Sequence, residues 1–473
     1  MIIVRIFLFF LCCNNLLFGA CHSKTDLYDV IIVGAGISGL SAASTLKKNH
    51  VGNILILEAA DRIGGRVWTE DPWGTKLEMG ASWIHGIENS PTHEIIKDMH
   101  LPIQPTIYNG ACPTCKMKSM ALYDQDGKRL SPEEVSQLAH LASDFEDYLT
   151  EINDHGKANN LTFLDALNDF SSKNKLSKQM FDRLYFIIRL LITYEFSLDL
   201  QNISATVLKL YGHSKVSGTH GIIPMGYNLL AGKLAKNIPI EMNCAVESIS
   251  YDKDIVECKT AKGVFRGKNC IVTVPLGVLK QNKIAFSPPL PKDTQGAIDT
   301  IDMGVFNKIY LFFPCIFWDK DVEWIELMPS PALRDQNYDI LNYAKFCKQP
   351  ILLVFTAGSF GKEVEKWSDK QTVDAIMSVL KKLYGENIPS PSSYRITRWG
   401  QDPLFLGSYS SPGLHADTQT YTNFANPVRN LLFFAGEATS ETDCSTVLGA
   451  FLTGERAAKQ VLTKMNIEPI LEN

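Results

Sequence analysis

At 473 residues the chain exceeds what one hydrophobic core usually organises, so two closely packed domains are expected. Hydrophobic residues at 45% and charged residues at 21% are globular proportions, which exclude a disordered, collagenous or multispanning chain. A formal charge of -5 with no sustained Lys/Arg run leaves no electrostatic footprint for nucleic acid and does not name a substrate.

The chain begins with a segment unlike the rest. Arg5 precedes the apolar run Ile6 to Leu11, and Leu16, Leu17, Gly19 and Ala20 follow. This predicts a secretory signal over residues 1–20, cleaved near Ala20, because Asn14 and Asn15 interrupt a stretch already too short to span a bilayer. The mature protein is then extracytoplasmic, secreted or periplasmic, with no membrane span. The alternative lies in Phe18-Gly19-Ala20-Cys21, which is similar to a bacterial lipoprotein signal and would anchor the chain by a lipid on Cys21; Phe18 departs from the usual Leu. Of eleven cysteines, Cys12 and Cys13 leave with the signal, and the remainder are too sparse for a disulfide scaffold. Cys112-Pro113-Thr114-Cys115 has redox or metal spacing, but no second Cys or His pair accompanies it, so a loop disulfide or two free thiols is expected and no metal site is assigned. Asn160-Leu161-Thr162 and Asn202-Ile203-Ser204 are glycosylation sequons if the source is eukaryotic.

The next element is the sharpest. Val30 to Val33 read as a buried strand running directly into Gly34-Ala35-Gly36-Ile37-Ser38-Gly39, followed by helix-spaced Leu40, Ala42, Ala43 and Leu46. Ile54 to Leu57 form a second strand ending at Glu58. Strand, glycine turn, helix, strand and acid within about thirty residues are the pattern of a dinucleotide site. Gly34 permits the tight turn, Gly36 lets the backbone approach a pyrophosphate, and Gly39 lets the helix pack on the sheet. The helix N-terminus at Ser38 faces the phosphates, and Glu58 accepts from the ribose hydroxyls. Further on, Pro132 to Leu149 and Lys175 to Leu191 carry helix-spaced apolar residues, while Ile255 to Thr260 and Val264 to Arg266 flank Ala261-Lys262-Gly263 as a hairpin.

After Glu58 the chain continues Ala59-Ala60-Asp61-Arg62-Ile63-Gly64-Gly65-Arg66, and here it resembles the flavin-containing amine oxidase family, in particular polyamine oxidases of the spermine and acetylpolyamine type. The resemblance runs from Tyr28 to about Leu462. It implies FAD as cofactor, with the two glycines crossing it and Arg66 meeting its phosphates. Gly80-Ala81-Ser82-Trp83-Ile84-His85-Gly86 resembles the family's segment past the flavin ring, Ile271 to Leu279 its returning strand, and Val246 its adenine-contacting valine. Leu432 to Glu437, with Gly436 and Glu437 at its end, and the helix entry through Thr446 and Val447 are similar to the junction that holds pyrophosphate and flavin. The implied fold is α/β and discontinuous: a Rossmann-like FAD-binding domain from 26–105, 220–298 and 395–473, and an α+β substrate-binding domain from 106–219 and 299–394.

The resemblance also implies the chemistry. Lys308, in Asp302 to Leu311, matches an active-site lysine that reaches the reactive flavin nitrogen through a water; taken alone it reads as a solvated strand end. His85 matches a residue facing the substrate channel, Tyr409 an aromatic wall, and Glu195 an acidic channel residue able to pair with a distant ammonium, or else an exposed helix carboxylate. Trp399 belongs to a wall segment; Thr446 stands where some amine oxidases have Tyr, and Phe306 is the aromatic that could compensate. Ser408 replaces the cysteine that links flavin in monoamine oxidases, so FAD is expected to be noncovalent. The expected partners are a small-molecule amine and dioxygen. An L-amino-acid oxidase or monoamine oxidase of the same superfamily, or a flavin-binding protein without turnover, are the alternatives; the first needs a cation for the substrate carboxylate, and none is assigned.

Overall fold

The computed structural model describes residues 27–106, 117, 119–207, 209 and 216–470. The signal segment, Cys21 and the Cys112 and Cys115 pair lie outside the described residues.

Two apolar tetrapeptides build the centre of one half. Val30–Val33 and Ile54–Leu57 are buried at every position and pair in parallel, Val30 with Ile54 and Val33 with Leu57. The parallel sheet runs in the order Ile240–Glu241, Ile54–Leu57, Val30–Val33, Cys270–Val272, Leu432–Phe434, so its strands come from three distant stretches of chain. Both faces are covered, which is why these strands are continuous apolar runs and not alternating ones. Helix Ile37–Lys48 packs on one face with helix Val447–Lys464 beside it. The two approach so closely that a Cβ at Gly454 would overlap the Ser38 carbonyl, and Ser41 Oγ donates to Phe451 O at 2.8 Å. A second sheet carries the expected hairpin, with Ile255–Thr260 antiparallel to Gly263–Gly267 and Thr260 opposite Gly263.

The other half is a six-stranded mixed sheet, ordered Ser393–Ile396, Phe306–Phe312, Ile351–Ala357, Asp339–Leu341, Trp324–Leu327, Met120–Tyr123. The 394/395 boundary expected between domains falls inside its edge strand. Helices Pro132–Asp154, Phe163–Lys173 and Lys178–Phe196 cover it, sharing a core through Phe145, Phe163, Phe170 and Leu184. The first begins at Ser131, whose side chain accepts from Glu134 N while Glu134 accepts from Ser131 N, a reciprocal cap with Pro132 as first helical residue. The last starts at Lys178 and not at Lys175, because Lys175 is left-handed (φ 51°) and Ser177 supplies the cap, accepting from Met180 N at 3.2 Å. No helix among the described residues is long and apolar enough to cross a membrane.

Candidate active site

A cavity of about 510 Å³ runs between the halves, from the glycine turn to Tyr409. At its first end, Gly34 (φ 107°) donates to Leu57 O at 2.8 Å and turns the chain off its strand, a conformation disfavoured for L side chains. Gly39 does not line the cavity: a Cβ there would run into the Gly34 carbonyl, so it serves the packing of the turn. Gly36 differs from both, because a Cβ there meets no protein atom within 4 Å and its backbone is ordinary for any residue (φ -72°). Ser38 Oγ is buried at the helix start and makes no hydrogen bond among the described residues. Glu58 accepts from Ala35 N at 2.5 Å and Ala60 N at 2.8 Å; burial pushes its carboxyl up while these donors and Arg62 oppose the shift. Arg66 Nη1 donates to Ser408 O at 3.0 Å and pairs with Glu437 at 2.7 Å, and Glu437 also accepts from Ser410 Oγ at 2.6 Å and Ser445 N at 2.8 Å. Val246, Gly436 and Val447 line the same end.

Further in, the chain from Gly80 to Trp83 forms a wall, held where a Cβ at Gly80 would overlap the Arg66 carbonyl. Lys308 lies within strand Phe306–Phe312, 3% exposed, so it is not a solvated strand end. Its Nζ donates to Glu78 O at 2.9 Å, to Gly80 O and to Ser82 Oγ. Three acceptors match three ammonium protons, yet burial pulls the pKa far below the usual lysine range, and Glu78 opposes that shift. Glu78 is a buried acid that motif reading passed over. Its carboxyl accepts from Tyr227 N and Thr69 Oγ1, both at 2.8 Å, and burial pushes its pKa up.

The far end is aromatic. Phe306 packs against Tyr194, Phe355 and Tyr409, with centroids 5.9, 5.2 and 5.7 Å away. Tyr409 OH donates to Tyr194 O at 2.6 Å, and Trp399 Nε1 donates to Met79 O at 3.2 Å. Thr446 lines the cavity, but its hydroxyl caps helix Val447–Lys464, accepting from Gly449 N at 2.9 Å and donating to Asp443 O at 2.7 Å. Ser408 Oγ joins Phe306 N and O at 2.7 and 2.8 Å. Cys444 faces Tyr421 instead, and among the described residues no cysteine lines the cavity. Glu195 lines it from the end of helix Lys178–Phe196, together with Asp339 and Trp324, neither of which carries a motif. His85 Nδ1 lies 3.1 Å from Nδ1 of His220, a residue the sequence did not single out; burial lowers both imidazoles to about 4.

The open space over Gly36, the orphan Ser38 hydroxyl at a helix N-terminus, the acid at Glu58 and the cation at Arg66 fit an extended dinucleotide. Residues 37–462 match the family model for flavin containing amine oxidoreductase. The chain is 34% identical to polyamine oxidase 4 of Oryza sativa subsp. japonica over 94% of its own length and 91% of that protein. It is 33% identical to polyamine oxidase 2 of Arabidopsis thaliana over 92% and 88%, respectively. A putrescine oxidase double mutant with redesigned cofactor binding superposes with a TM-score of 0.73 at 18% identity, covering 92% of this chain and 99% of the other, which is a likeness of fold. A dinucleotide cradle opening onto an aromatic cavity, together with a match over most of the chain, shows that this protein belongs to the flavin-containing amine oxidoreductases, FAD-dependent enzymes acting on CH–NH bonds.

Proposed function

We propose that the enzyme is a polyamine oxidase, removing hydride from a carbon beside a secondary or primary amine to leave an imine that water hydrolyses to aldehyde and amine. The charge on the aromatic half of the cavity carries this reading. Glu195 and Asp339 are the acids that line it there, suited to the distant ammonium of a polyamine, while Lys308 is engaged with two carbonyls and Ser82. A substrate carboxylate, as in an amino acid, would meet like charge. The rings of Phe306 and Tyr409 exclude water around the reacting nitrogen and favour the neutral amine, whose lone pair hydride removal requires. His85, neutral and facing the same space, is a hydrogen-bond partner for that nitrogen.

FAD, when bound, supplies the two-electron acceptor for the hydride, and dioxygen takes up those electrons to give hydrogen peroxide. Lys308 holds a proton loosely at Nζ, since its acceptors favour the ammonium and its burial the amine. The cofactor is held without a covalent link, because Ser408 cannot form a thioether; acid precipitation should release it intact. Residues 1–20 direct export on this reading, and the native protein should begin near Cys21.

The test is anaerobic loss of oxidised-flavin absorbance across polyamines, monoamines and amino acids, with product identification. Fast bleaching by tri- and tetraamines is the expected result. Bleaching by amino acids or simple monoamines alone would move the enzyme to another branch of the family, and none at all would leave a flavin-binding protein without turnover.

A further inference from the structure

The register of a small sheet brings two histidines face to face. Strand Trp83–Ile84 runs antiparallel to Gly221–Ile222 with Ile84 opposite Gly221, so the residue after the first strand, His85, falls beside the residue before the second, His220. Gln104–Pro105 pairs with the other edge of Gly221–Ile222, and Thr106 N donates to His220 O at 3.0 Å, fixing the backbone there. The rings meet edge to face, centroids 5.2 Å apart, with Nδ1 to Nδ1 at 3.1 Å.

Two neutral imidazoles sharing one Nδ1 to Nδ1 hydrogen bond admit two arrangements, since one ring must donate and the other accept. If His220 donates, His85 carries its proton on Nε2 and offers the cavity a donor. If His85 donates, its Nε2 is an acceptor. The choice matters chemically, because a donor at Nε2 would compete for the amine lone pair that must push the hydride out, whereas an acceptor takes an N–H and leaves the lone pair alone. Of the two, only the second leaves that lone pair free to push the hydride out. In that arrangement His220 Nδ1 accepts, and the one proton of its neutral ring is on Nε2.

We propose that His220 is a positioning residue: fixed by the small sheet, it accepts from His85 Nδ1 and thereby holds His85 Nε2 as the acceptor for the N–H of the substrate amine. The arrangement rests on the amine reading above. It moves no electrons; it selects a tautomer and orients one hydrogen bond.

Long-range proton–nitrogen correlation spectra of the FAD-loaded, ¹⁵N-histidine-labelled enzyme decide the first part without any substrate. His85 is expected to carry its proton on Nδ1 and His220 on Nε2, with signals assigned by His85→Asn and His220→Asn. The reverse pattern would overturn the proposal. For the second part, the rate of anaerobic flavin reduction by the best amine is compared at equal FAD occupancy. His220→Leu should slow it about tenfold, and His220→Asn, which keeps an acceptor oxygen for His85, should restore it to within about threefold of wild type. An unchanged His220→Leu rate, or a His220→Asn variant as slow as His220→Leu, would also overturn the proposal. If no amine reduces the flavin, the functional reading fails, while the tautomers still report on the histidine pair.

Discussion

The two ends of the cavity are built in opposite ways. At the dinucleotide end, the turn, the helix start and Glu58 come from one unit of about thirty residues, set by local backbone geometry. At the aromatic end, Tyr194, Phe306, Phe355 and Tyr409 come from one helix, two strands and a loop, and side chains do the work. The first end needs particular residues because the backbone must pass close to something. The second needs only shape and charge, which several residue choices could meet.

The comparison breaks most sharply at the glycines. Gly39→Val would drive a side chain into the Gly34 carbonyl and is expected to cost several kcal/mol, leaving no folded enzyme by circular dichroism. A Cβ at Gly36 meets no protein atom within 4 Å, so flavin-free Gly36→Val should stay within about 1 kcal/mol of wild type while failing to retain FAD. Wild-type flavin content in Gly36→Val would remove the assignment of that glycine to the pyrophosphate.

The aromatic end is tested by pH. His85 titrates near 4 in the folded protein against 6.5 in the unfolded chain, so between those values the unfolded chain binds more protons. The contribution of neutral His85 is complete above pH 6.5 and is lost as pH falls to 4, a loss of about 3 kcal/mol. Urea unfolding of wild type and His85→Asn at saturating FAD should show the wild type losing stability relative to the variant over that window; parallel curves would mean His85 is not desolvated.

Lys308→Met sits at the junction of the two ends. Methionine keeps the length and apolar packing but deletes the group held by Glu78, Gly80 and Ser82, so fold and FAD should persist while amine turnover falls at least tenfold, about 1.4 kcal/mol. Stopped-flow rates for flavin reduction and reoxidation, both unchanged, would remove Lys308 from the mechanism. The smallest effect belongs to Asp339→Asn, expected to raise KM for a polyamine about threefold and leave a monoamine unaffected. Equal shifts for both substrates would assign Asp339 to packing.

From sequence alone, the strand, glycine turn, helix and second strand of the dinucleotide end could be read in order, because they answer to local backbone geometry and keep a fixed spacing. The paired strands and the hairpin were legible for the same reason, and the helices were legible to within a few residues at their ends. The family resemblance extended the reading to Lys308, His85, Glu195 and Tyr409, each within a quoted segment. What only the tertiary structure decided was neighbourhood. Lys308 looks like a solvated strand end until the strand is placed in a sheet whose neighbour positions Phe355 opposite it. Glu78, His220 and Asp339 carry no local pattern, since each is defined by a partner more than a hundred residues away or by a wall of the cavity. Periodicity reports which face of an element is buried, and it says nothing of which distant element that face meets; the burial that shifts the ionisation of Lys308 and His85 arises from that meeting.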